Sequence, residues 1–281
     1  MKSSDIGGSE YVVEVASEPI TAQDQIVVPP DVLGEFYTQV AKDVMKELIP
    51  NPTNVNITQY AVVEVLNGGF VRLVDHMGSD LSIVRSARVS YDADWRVGEE
   101  KKDEKLIAYL MKNRHTSPFE SVAFTFEVKA PIFVFRQWHR HRTWAYNEIS
   151  ARYTELDEGY YVPELDQITT QSASNKQMRT KDQHPLAAEI QWWVEMQNNS
   201  SFAMYKKLIE EGCPRELARS VLPVGAYSRM FATVDLHNLF HFLRLRLHEH
   251  SQYEIRVYAE AMLQLIEPIV PVAVREFKNT L

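Results

Sequence analysis

Antiparallel pairing is predicted by the stretch Ala61-Val62-Val63-Glu64-Val65-Leu66-Asn67-Gly68-Gly69-Phe70-Val71-Arg72-Leu73-Val74. Two strand-like runs, Ala61–Leu66 and Phe70–Val74, flank the tripeptide Asn67-Gly68-Gly69. Because Asn and Gly both tolerate positive φ, Asn-Gly between β-formers is typical of a tight hairpin turn. The sequence therefore predicts a β-hairpin at this point of the chain.

Downstream of the hairpin, the sequence predicts one further strand and many helices. Phe124 and Phe126 alternate with Thr125 and Glu127, which predicts a strand over Ala123–Lys129. Helices are predicted over Asp31–Leu48, Asp80–Val89, Glu104–Asn113, Pro131–Arg142, 186–211, Pro214–Val221, Asp235–Leu247 and Ser251–Ile266. The expected fold class is therefore α+β, a helix-rich domain around a mostly antiparallel sheet.

Several of these helices carry specific start or stop signals. Asp80 is expected to cap its own helix, and Ser251-Gln252-Tyr253-Glu254 matches a capping box. Gly212 is expected just beyond the end of the helix 186–211, where a positive φ is common. Residues 155–184 are expected to form a loop-rich excursion.

Composition and charge exclude several classes of protein. The chain has 281 residues with 45% hydrophobic content, enough for a large core. The net charge of -8 argues against a general nucleic-acid or membrane-surface binder. Cys213 is the only cysteine, which excludes a disulfide framework and fits a reducing compartment. Since the first ten residues are polar and no run approaches the ~20 apolar residues of a membrane span, we expect a cytoplasmic protein.

Candidate ligand-binding groups are concentrated in the segment Arg136–Tyr153, RQWHRHRTWAYNEISARY. On the predicted helix, Gln137 and His141 share one face at i and i+4. Arginine suits phosphate because its planar fork can donate two parallel hydrogen bonds. A solvated basic helix end is the alternative, but the aromatics and the apolar run Ile132–Phe135 favour a half-buried anion pocket.

Arg140-His141-Arg142, seven further residues and then Ser150 form the pattern RHR-x7-S. Other motifs stand in a matching order, namely Val84–Ser90 (VRSARVS), His115–Glu120 (HTSPFE), Lys129–Val134 (KAPIFV), Asn147–Tyr153 (NEISARY), Pro214–Arg219 (PRELAR) and Phe242–Arg246 (FLRLR). Together they resemble the flavin-dependent thymidylate synthases from about residue 66 to about residue 265. We therefore expect a synthase domain over 66–281 and an N-terminal extension over 1–65 with one amphipathic helix.

The resemblance implies an activity and an assembly. Enzymes of this family methylate dUMP to dTMP in de novo dTMP biosynthesis. The carbon comes from 5,10-methylenetetrahydrofolate, and FAD that NADPH has reduced supplies the hydride. The family also implies a homotetramer whose active sites are shared between subunits, so the expected partners are dUMP, folate and further copies of the chain.

The resemblance also implies a role for each matching residue. The implied FAD contacts are Ser117, Arg140, His141, Arg142, Glu148, Asp235, His237 and His241. The implied dUMP contacts are Gln137, Arg140, Glu148, Ser150, Arg152, Arg219 and Arg246. Of these, Gln137, Ser150, Arg152 and Arg219 are implied to hold chiefly the phosphate. Arg246 is also the implied catalytic residue, because a guanidinium on the uracil ring favours loss of the N3 proton. His115 is implied to lie close to the flavin, and His250 near the active-site region.

The helix that begins at Asp235 departs from the family pattern. Where relatives often have Asn-Ala-Arg, the chain has Asp235-Leu236-His237, and His241 follows one turn later. The departure replaces a cationic contact to FAD with imidazoles. The spacing of His237 and His241 can also bind zinc, but no Glu follows His237 as in a metalloprotease helix, so no metal is expected.

Two further interpretations concern other functions for the same residues. The classical thymidylate synthases use a cysteine thiolate as the nucleophile, and Cys213 has the side chain for that role. Its position directly after Gly212 nevertheless favours a structural role. Ser150 has no evident activating base beyond His141, which favours substrate binding over nucleophilic attack. A polynucleotide-binding role for the Arg-rich segment is disfavoured by the acidic total charge.

Overall fold

The computed structural model of the protein describes residues 61–91, 99–156 and 159–281. The predicted helix Asp31–Leu48 lies outside the described residues, as does part of the charged stretch before the second described helix. Within the described ranges, no helix combines the length and the apolar character that crossing a membrane requires.

A five-stranded antiparallel sheet forms the centre of the fold, with strand order β1-β2-β3-β7-β4. Its strands are β1 (Val62–Val65), β2 (Gly69–Met77), β3 (Ala123–Pro131), β4 (Ala145–Glu148) and β7 (Tyr227–Asp235). A separate antiparallel hairpin pairs β5 (Thr169–Gln171) with β6 (Arg179–Gln183). The expected α+β class with a mostly antiparallel sheet is confirmed.

The predicted hairpin between β1 and β2 is present in the structure. Val65 pairs with Gly69, and Gly68 in the turn has a φ of +147°. Gly69 is required for a different reason, since a Cβ there would lie 2.1 Å from the Tyr258 hydroxyl. The hairpin is therefore held against the helix that carries Tyr258. Because β1 spans 62–65, the sheet begins before residue 66, where the synthase domain is predicted to start.

Eight helices cover the described chain around this sheet. They are α1 (Asp80–Val89), α2 (Glu100–Lys112), α3 (Ile132–Trp138), α4 (Ala187–Glu210), α5 (Arg215–Ala218), α6 (Leu236–Arg246), α7 (Tyr253–Ile266) and α8 (Pro271–Lys278). Short 3-10 turns cover Ser117–Ser121, Leu165–Gln167 and Arg219–Val221. Gly212 has the positive φ of +78° that was predicted after α4.

Helix α3 is shorter than predicted, because it ends at Trp138 instead of Arg142. Trp138 is fully buried, and the chain then tightens: Arg140 N donates to Gln137 O at 3.3 Å and His141 N to Trp138 O at 2.9 Å. These i to i+3 bonds turn the chain toward β4. Gln137 and His141 therefore do not share a helical face, and that part of the prediction is wrong.

Strands β4 and β7 were not predicted, although β7 lies between β3 and β4 in the sheet. Met230, Ala232 and Val234 of β7 are buried, while Phe231 and Thr233 between them are exposed. This period of two is the ordinary signal of a strand with one buried face. Strand β4 pairs with β7 at the edge of the sheet, so the polar residues up to Glu148 lie on extended backbone.

Two predicted helix caps are wrong. Ser79 occupies the N-cap of α1, and the Asp80 carboxylate instead accepts hydrogen bonds from Val272 N (2.8 Å) and Ala273 N (3.0 Å). Asp80 therefore caps α8, whose first N–H groups lack partners in their own helix. Gln252 is the N-cap of α7 and makes no side-chain capping bond, so the predicted capping box does not form.

Candidate functional site

Three of the predicted site residues form a hydrogen-bonded group, which we call the Arg246 cluster: Gln137, His141 and Arg246. Arg246 Nε donates to His141 Nε2 at 3.1 Å, and an Arg246 terminal nitrogen donates to Gln137 O at 3.3 Å. Because a guanidinium only donates, His141 Nε2 is the acceptor and the neutral ring carries its proton on Nδ1. Arg246 at the end of α6 thus joins two residues that α3 alone does not bring together.

Packing around His141 holds the Arg246 cluster in place. The single O–H of Tyr146 is shared between His141 O at 2.8 Å and Trp138 O at 3.1 Å. The Phe242 ring lies 4.9 Å from the His141 ring and 4.9 Å from the Trp138 ring. The buried core of the domain therefore extends directly under the site.

The electrostatics of the Arg246 cluster follow from its burial. His141 is 7% exposed, and burial lowers its pKa to about 4, with Arg246 and then His241 adding to the effect. Burial also lowers the pKa of Arg246, although an arginine keeps its charge in proteins. Within the described part of the chain, no carboxylate forms an ion pair with Arg246. Its positive charge is therefore available to a ligand.

A cleft of about 250 Å³ lies between the end of α2 and helix α6. His115, His237 and His241 line it together with Arg244 and Thr116, and Phe119 and Phe240 add apolar surface. The His241 ring lies 6.1 Å from the His141 ring, so the cleft borders the Arg246 cluster. The cleft combines apolar surface with several hydrogen-bonding groups.

Two further residues predicted to contact FAD, Ser117 and Asp235, are not among the residues that line the cleft. Ser117 is exposed and directly follows Thr116, at the start of a 3-10 turn. Asp235 is the N-cap of α6, and its carboxylate accepts from Asn238 N at 2.9 Å. Among the described residues, no group of three or more His, Cys, Asp or Glu side chains is arranged to hold a metal ion.

Sequence reasoning missed Arg244 as a lining residue of the cleft. It follows His237 by seven positions and His241 by three, so the three side chains lie on one face of α6. That spacing was visible in the sequence. Arg244 also donates to Thr280 O at 3.0 Å and to Thr280 Oγ1 at 2.9 Å. These bonds hold the guanidinium against the residues that directly follow α8.

A second group of predicted residues lies at the surface, and we call it the Arg152 cluster: Ser150, which is half-buried, and the exposed Arg152 and Arg219. Ser150 Oγ accepts from Arg152 N at 3.3 Å. Arg152 Nε lies 4.0 Å from a Glu216 carboxylate oxygen, and Arg219 Nε donates to Glu216 O at 3.3 Å. The Arg152 side chain is 52% exposed, so its ion pair is weak and can be exchanged for another anion.

The remaining predicted residues lie on the segment between the two clusters. Arg140 and Arg142 are exposed, and their side chains make no hydrogen bond or ion pair with any described residue. Glu148, at the end of β4, accepts from Ser228 Oγ at 2.7 Å. No hydrogen bond or ion pair between described residues links the Arg246 cluster to the Arg152 cluster. One copy of the chain therefore presents two separate sets of predicted ligand-binding groups.

Comparisons with known proteins give consistent matches. Residues 72–272 match the family model described as thymidylate synthase complementing protein. A flavin-dependent thymidylate synthase from Treponema denticola is 49% identical over 77% of this chain and 81% of that protein. One from Thermus thermophilus is 47% identical over 78% of this chain and 79% of its own. A UMP/dUMP methylase from Streptomyces cacaoi, solved with 5-Br dUMP, matches with a TM-score of 0.71 and 35% identity, covering 77% of this chain and 97% of that one.

Proposed function

The chain belongs to the family of flavin-dependent thymidylate synthases, and from that premise we propose that it converts dUMP to dTMP. The family consists of methyltransferases, so the protein is an enzyme. The proposed carbon donor is 5,10-methylenetetrahydrofolate, and the proposed hydride source is FAD reduced by NADPH. The proposed role is de novo dTMP synthesis in the cytoplasm.

The observation that carries this proposal is the half-buried guanidinium of Arg246, which forms no ion pair with any described carboxylate. Uracil C5 must become nucleophilic before it can attack a one-carbon unit. A cation held beside the ring stabilises the negative charge that develops on N3 and the ring oxygens, and partial burial strengthens this effect. Arg246 cannot act as a base at neutral pH, so its proposed catalytic role is electrostatic.

His141 and Gln137 have supporting roles in this proposal. His141 stays neutral near pH 7, because burial and Arg246 lower the pKa of its ring to about 4. The neutral Nε2 accepts from Arg246 Nε and fixes the direction of the guanidinium without adding a second charge. The backbone O of Gln137 accepts from the same guanidinium, and the Gln137 side chain, whose Nε2 donates to Gln252 Oε1 at 2.6 Å, is proposed to contact the nucleotide.

The cleft beside α6 fits a flavin in the kinds of groups that line it. Its apolar surfaces suit a flat ring, and its imidazoles and Arg244 suit polar ring edges or phosphates. We propose FAD contacts from Ser117, Arg140, His141, Arg142, Glu148, Asp235, His237 and His241. When bound, the flavin supplies the hydride that reduces the transferred one-carbon unit.

The nucleotide phosphate is proposed to bind at the Arg152 cluster. Ser150 offers a hydroxyl and Arg152 and Arg219 offer guanidinium forks, which form strong charge-assisted bonds with phosphate. Phosphate binding would replace the exposed contacts to Glu216. Arg140 and Glu148 are proposed to contact the nucleotide as well as the flavin.

The two-cluster arrangement supports sites that are shared between copies of the chain, and the assembly that we propose is a homotetramer. The cleft of about 250 Å³ lies below the ~300–1,000 Å³ of ordinary ligand pockets. Within the described residues, the proposed phosphate-binding groups also form no hydrogen bond or ion pair with Arg246. A second copy of the chain would supply the missing walls and bring an Arg152 cluster to an Arg246 cluster.

The test is an absorbance spectrum of the purified full-length protein, followed by product analysis. We expect flavin absorption bands that change when dUMP is added. We also expect dTMP formation that requires both methylenetetrahydrofolate and NADPH, and a tetrameric mass in solution. UMP is the parallel substrate, because the Streptomyces cacaoi relative is described as a UMP/dUMP methylase. A protein that stays colourless after FAD is added, or that forms no dTMP, contradicts the proposal.

A further inference from the structure

Arg114 lies one residue beyond the C-cap of α2 and has a φ of +55°. Arg114 N donates to Met111 O at 3.2 Å, and His115 N donates to Leu110 O at 2.9 Å. These two bonds form a Schellman motif, which ends a helix with one residue in the left-handed region. Glycine is the usual residue at that position, because a Cβ makes a positive φ unfavourable. The chain therefore has an arginine where the backbone favours glycine.

The end of α4 has the same motif with the expected residue. Gly212 N donates to Ile209 O at 3.0 Å, Cys213 N donates to Leu208 O at 2.9 Å, and Gly212 has a φ of +78°. A Cβ at Gly212 would meet no atom within 4 Å, so backbone conformation and not crowding favours glycine there. One backbone motif thus carries glycine after α4 and arginine after α2.

The Arg114 side chain is exposed and lines the cleft between the end of α2 and helix α6. It forms no hydrogen bond or ion pair with any described residue, so no such contact in the described chain offsets the unfavourable φ. A cation near a helix end also interacts favourably with the helix dipole, but Lys112 in the last turn of α2 already provides that interaction. An unfavourable backbone conformation at the edge of a cleft points to a role in ligand binding.

The other polar groups of the cleft indicate the charge of the ligand. Arg244 of α6 lines the same cleft, and its bonds to Thr280 hold its guanidinium in place. Among the described residues that line the cleft there is no Asp or Glu, although the whole chain has a net charge of -8. Two guanidinium groups without a carboxylate suit an anion, and their planar forks match the oxygens of a phosphate.

We propose that Arg114, together with Arg244, binds a phosphate group of a dinucleotide in this cleft. The inference rests on the proposed function, in which FAD occupies the cleft and NADPH reduces it. FAD and NADPH both carry a diphosphate, so the chemistry that Arg114 recognises is shared and the experiment distinguishes the two sources. The attraction between the guanidinium and the phosphate offsets the unfavourable φ only when the ligand is bound.

The experiment compares Arg114→Gly and Arg114→Asn with the control Lys112→Ala, which removes an exposed cation from the same helix end without touching the cleft. It measures the dissociation constant of FAD for the flavin-free full-length protein and the KM for NADPH at saturating FAD. We expect one of the two constants to rise about 10-fold in both Arg114 variants, the effect of one charge-assisted hydrogen bond. A rise for FAD identifies the FAD diphosphate as the bound group, and a rise for NADPH alone identifies NADPH.

The stability of the variants provides a second measurement. Arg114→Gly should raise the unfolding temperature of the flavin-free protein by about 2 °C, because glycine removes the unfavourable contacts of the Cβ at positive φ. Weaker ligand binding together with higher stability is the result expected of a residue kept for binding. If the glycine variant does not fold, Arg114→Asn still removes the guanidinium, and asparagine tolerates a positive φ.

The outcomes separate this inference from the proposed function. A wild-type protein that binds FAD and forms dTMP, together with Arg114 variants that keep both constants, overturns the inference alone. Flavin absorption bands that are displaced in the Arg114 variants would place the guanidinium at the flavin ring and would overturn the assignment to phosphate. A wild-type protein that binds no FAD and forms no dTMP overturns the proposed function, and this inference with it.

Discussion

The Arg246 cluster and the Arg152 cluster use the same residue type in opposite environments. Arg246 is half-buried, bonded to a neutral imidazole and a backbone carbonyl, and makes no ion pair with the described residues. Arg152 is 52% exposed and lies 4.0 Å from an exposed carboxylate. A buried charge interacts strongly with a ligand, and its hydrogen bonds fix its orientation. An exposed charge interacts weakly and exchanges one partner for another easily. The difference suits the first cluster to catalysis and the second to capture of the substrate.

The largest effect is expected for Arg246→Ala. Removing a preorganised donor of this kind costs about 100- to 1,000-fold in turnover, so dTMP formation should fall by at least about 100-fold. Flavin content, read from the absorbance spectrum, should remain. Arg275→Ala, which removes an exposed arginine paired with Glu104, is the control and should keep its turnover. Near wild-type turnover in Arg246→Ala would show that the buried cluster is not catalytic.

The second effect concerns the pH dependence of stability at His141. The folded-state pKa is about 4, below the ordinary value of 6.5, so the unfolded chain binds a proton here first as the pH falls. The lowered pKa of His141 therefore adds to the free energy of unfolding. This stabilisation is fully present above pH 6.5 and is lost as the pH falls from 6.5 to 4, to a total of at most about 3 kcal/mol. Denaturant unfolding of the flavin-free wild type and His141→Gln should measure it.

The expected result is that wild-type stability falls more steeply than that of His141→Gln across this pH range. The variant lacks the imidazole, so it lacks this part of the slope. Parallel curves from pH 7.5 to 4 would contradict the buried neutral imidazole that distinguishes the Arg246 cluster.

A smaller effect is expected for Arg152→Ala in the exposed cluster. The dissociation constant of dUMP should rise about 10-fold or more, because a charge-assisted bond to the phosphate is lost. The free energy of unfolding should change by less than about 0.5 kcal/mol, since the side chain is exposed. Titration calorimetry and denaturant unfolding measure the two quantities.

Arg215→Ala is the matched control for Arg152→Ala. Arg215 is also exposed and paired with a carboxylate, Glu155 at 3.2 Å, but it has no proposed phosphate contact. Its variant should bind dUMP as the wild type does. Equal weakening in both variants would mean that the exposed cluster contributes only general positive charge.

The smallest effect is expected for Cys213→Ser. Cys213 follows Gly212 at the end of α4, and its Sγ lies 3.8 Å from Pro214 O. Turnover should stay within about twofold of wild type, because the substitution lies outside both clusters. A large loss in the rate of dTMP formation would favour a thiolate mechanism and would remove the central role given to Arg246.

The local elements of the fold were predictable from short-range patterns. The hairpin at Asn67-Gly68-Gly69 and the end of α4 at Gly212 depend on backbone preferences that neighbouring residues determine. Strand β4 was not predicted, because a four-residue strand depends on its partner: Asn147 pairs with Phe231, far along the chain. The end of α3 was misplaced because burial of Trp138 and the turn toward β4 end the helix, while residues 139–142 contain no helix breaker.

In the candidate site too, the features that depend on residue type were predictable, and those that depend on contacts between distant segments were not. The motifs around Arg140-His141-Arg142 and Ser150 indicated the family and the residue types, because the chemistry of a nucleotide and a flavin requires those groups. The contacts of Glu254 and Gln252 were not visible, since both residues looked like part of a helix cap. Their hydrogen bonds with Arg179 and Gln137 join segments that are distant in sequence.

The sequence by itself determined the class of fold, the family and the set of groups available for chemistry. Arg246 and Arg152 are the same residue type, and the neighbouring residues in the sequence do not show that their charges behave differently. Only the tertiary structure decided that α6 carries Arg246 against the buried His141, while Arg152 stays in water beside Glu216. The physical reason is that the interaction energy of a charge depends on how well water solvates it. Packing between residues that are distant in sequence determines that solvation.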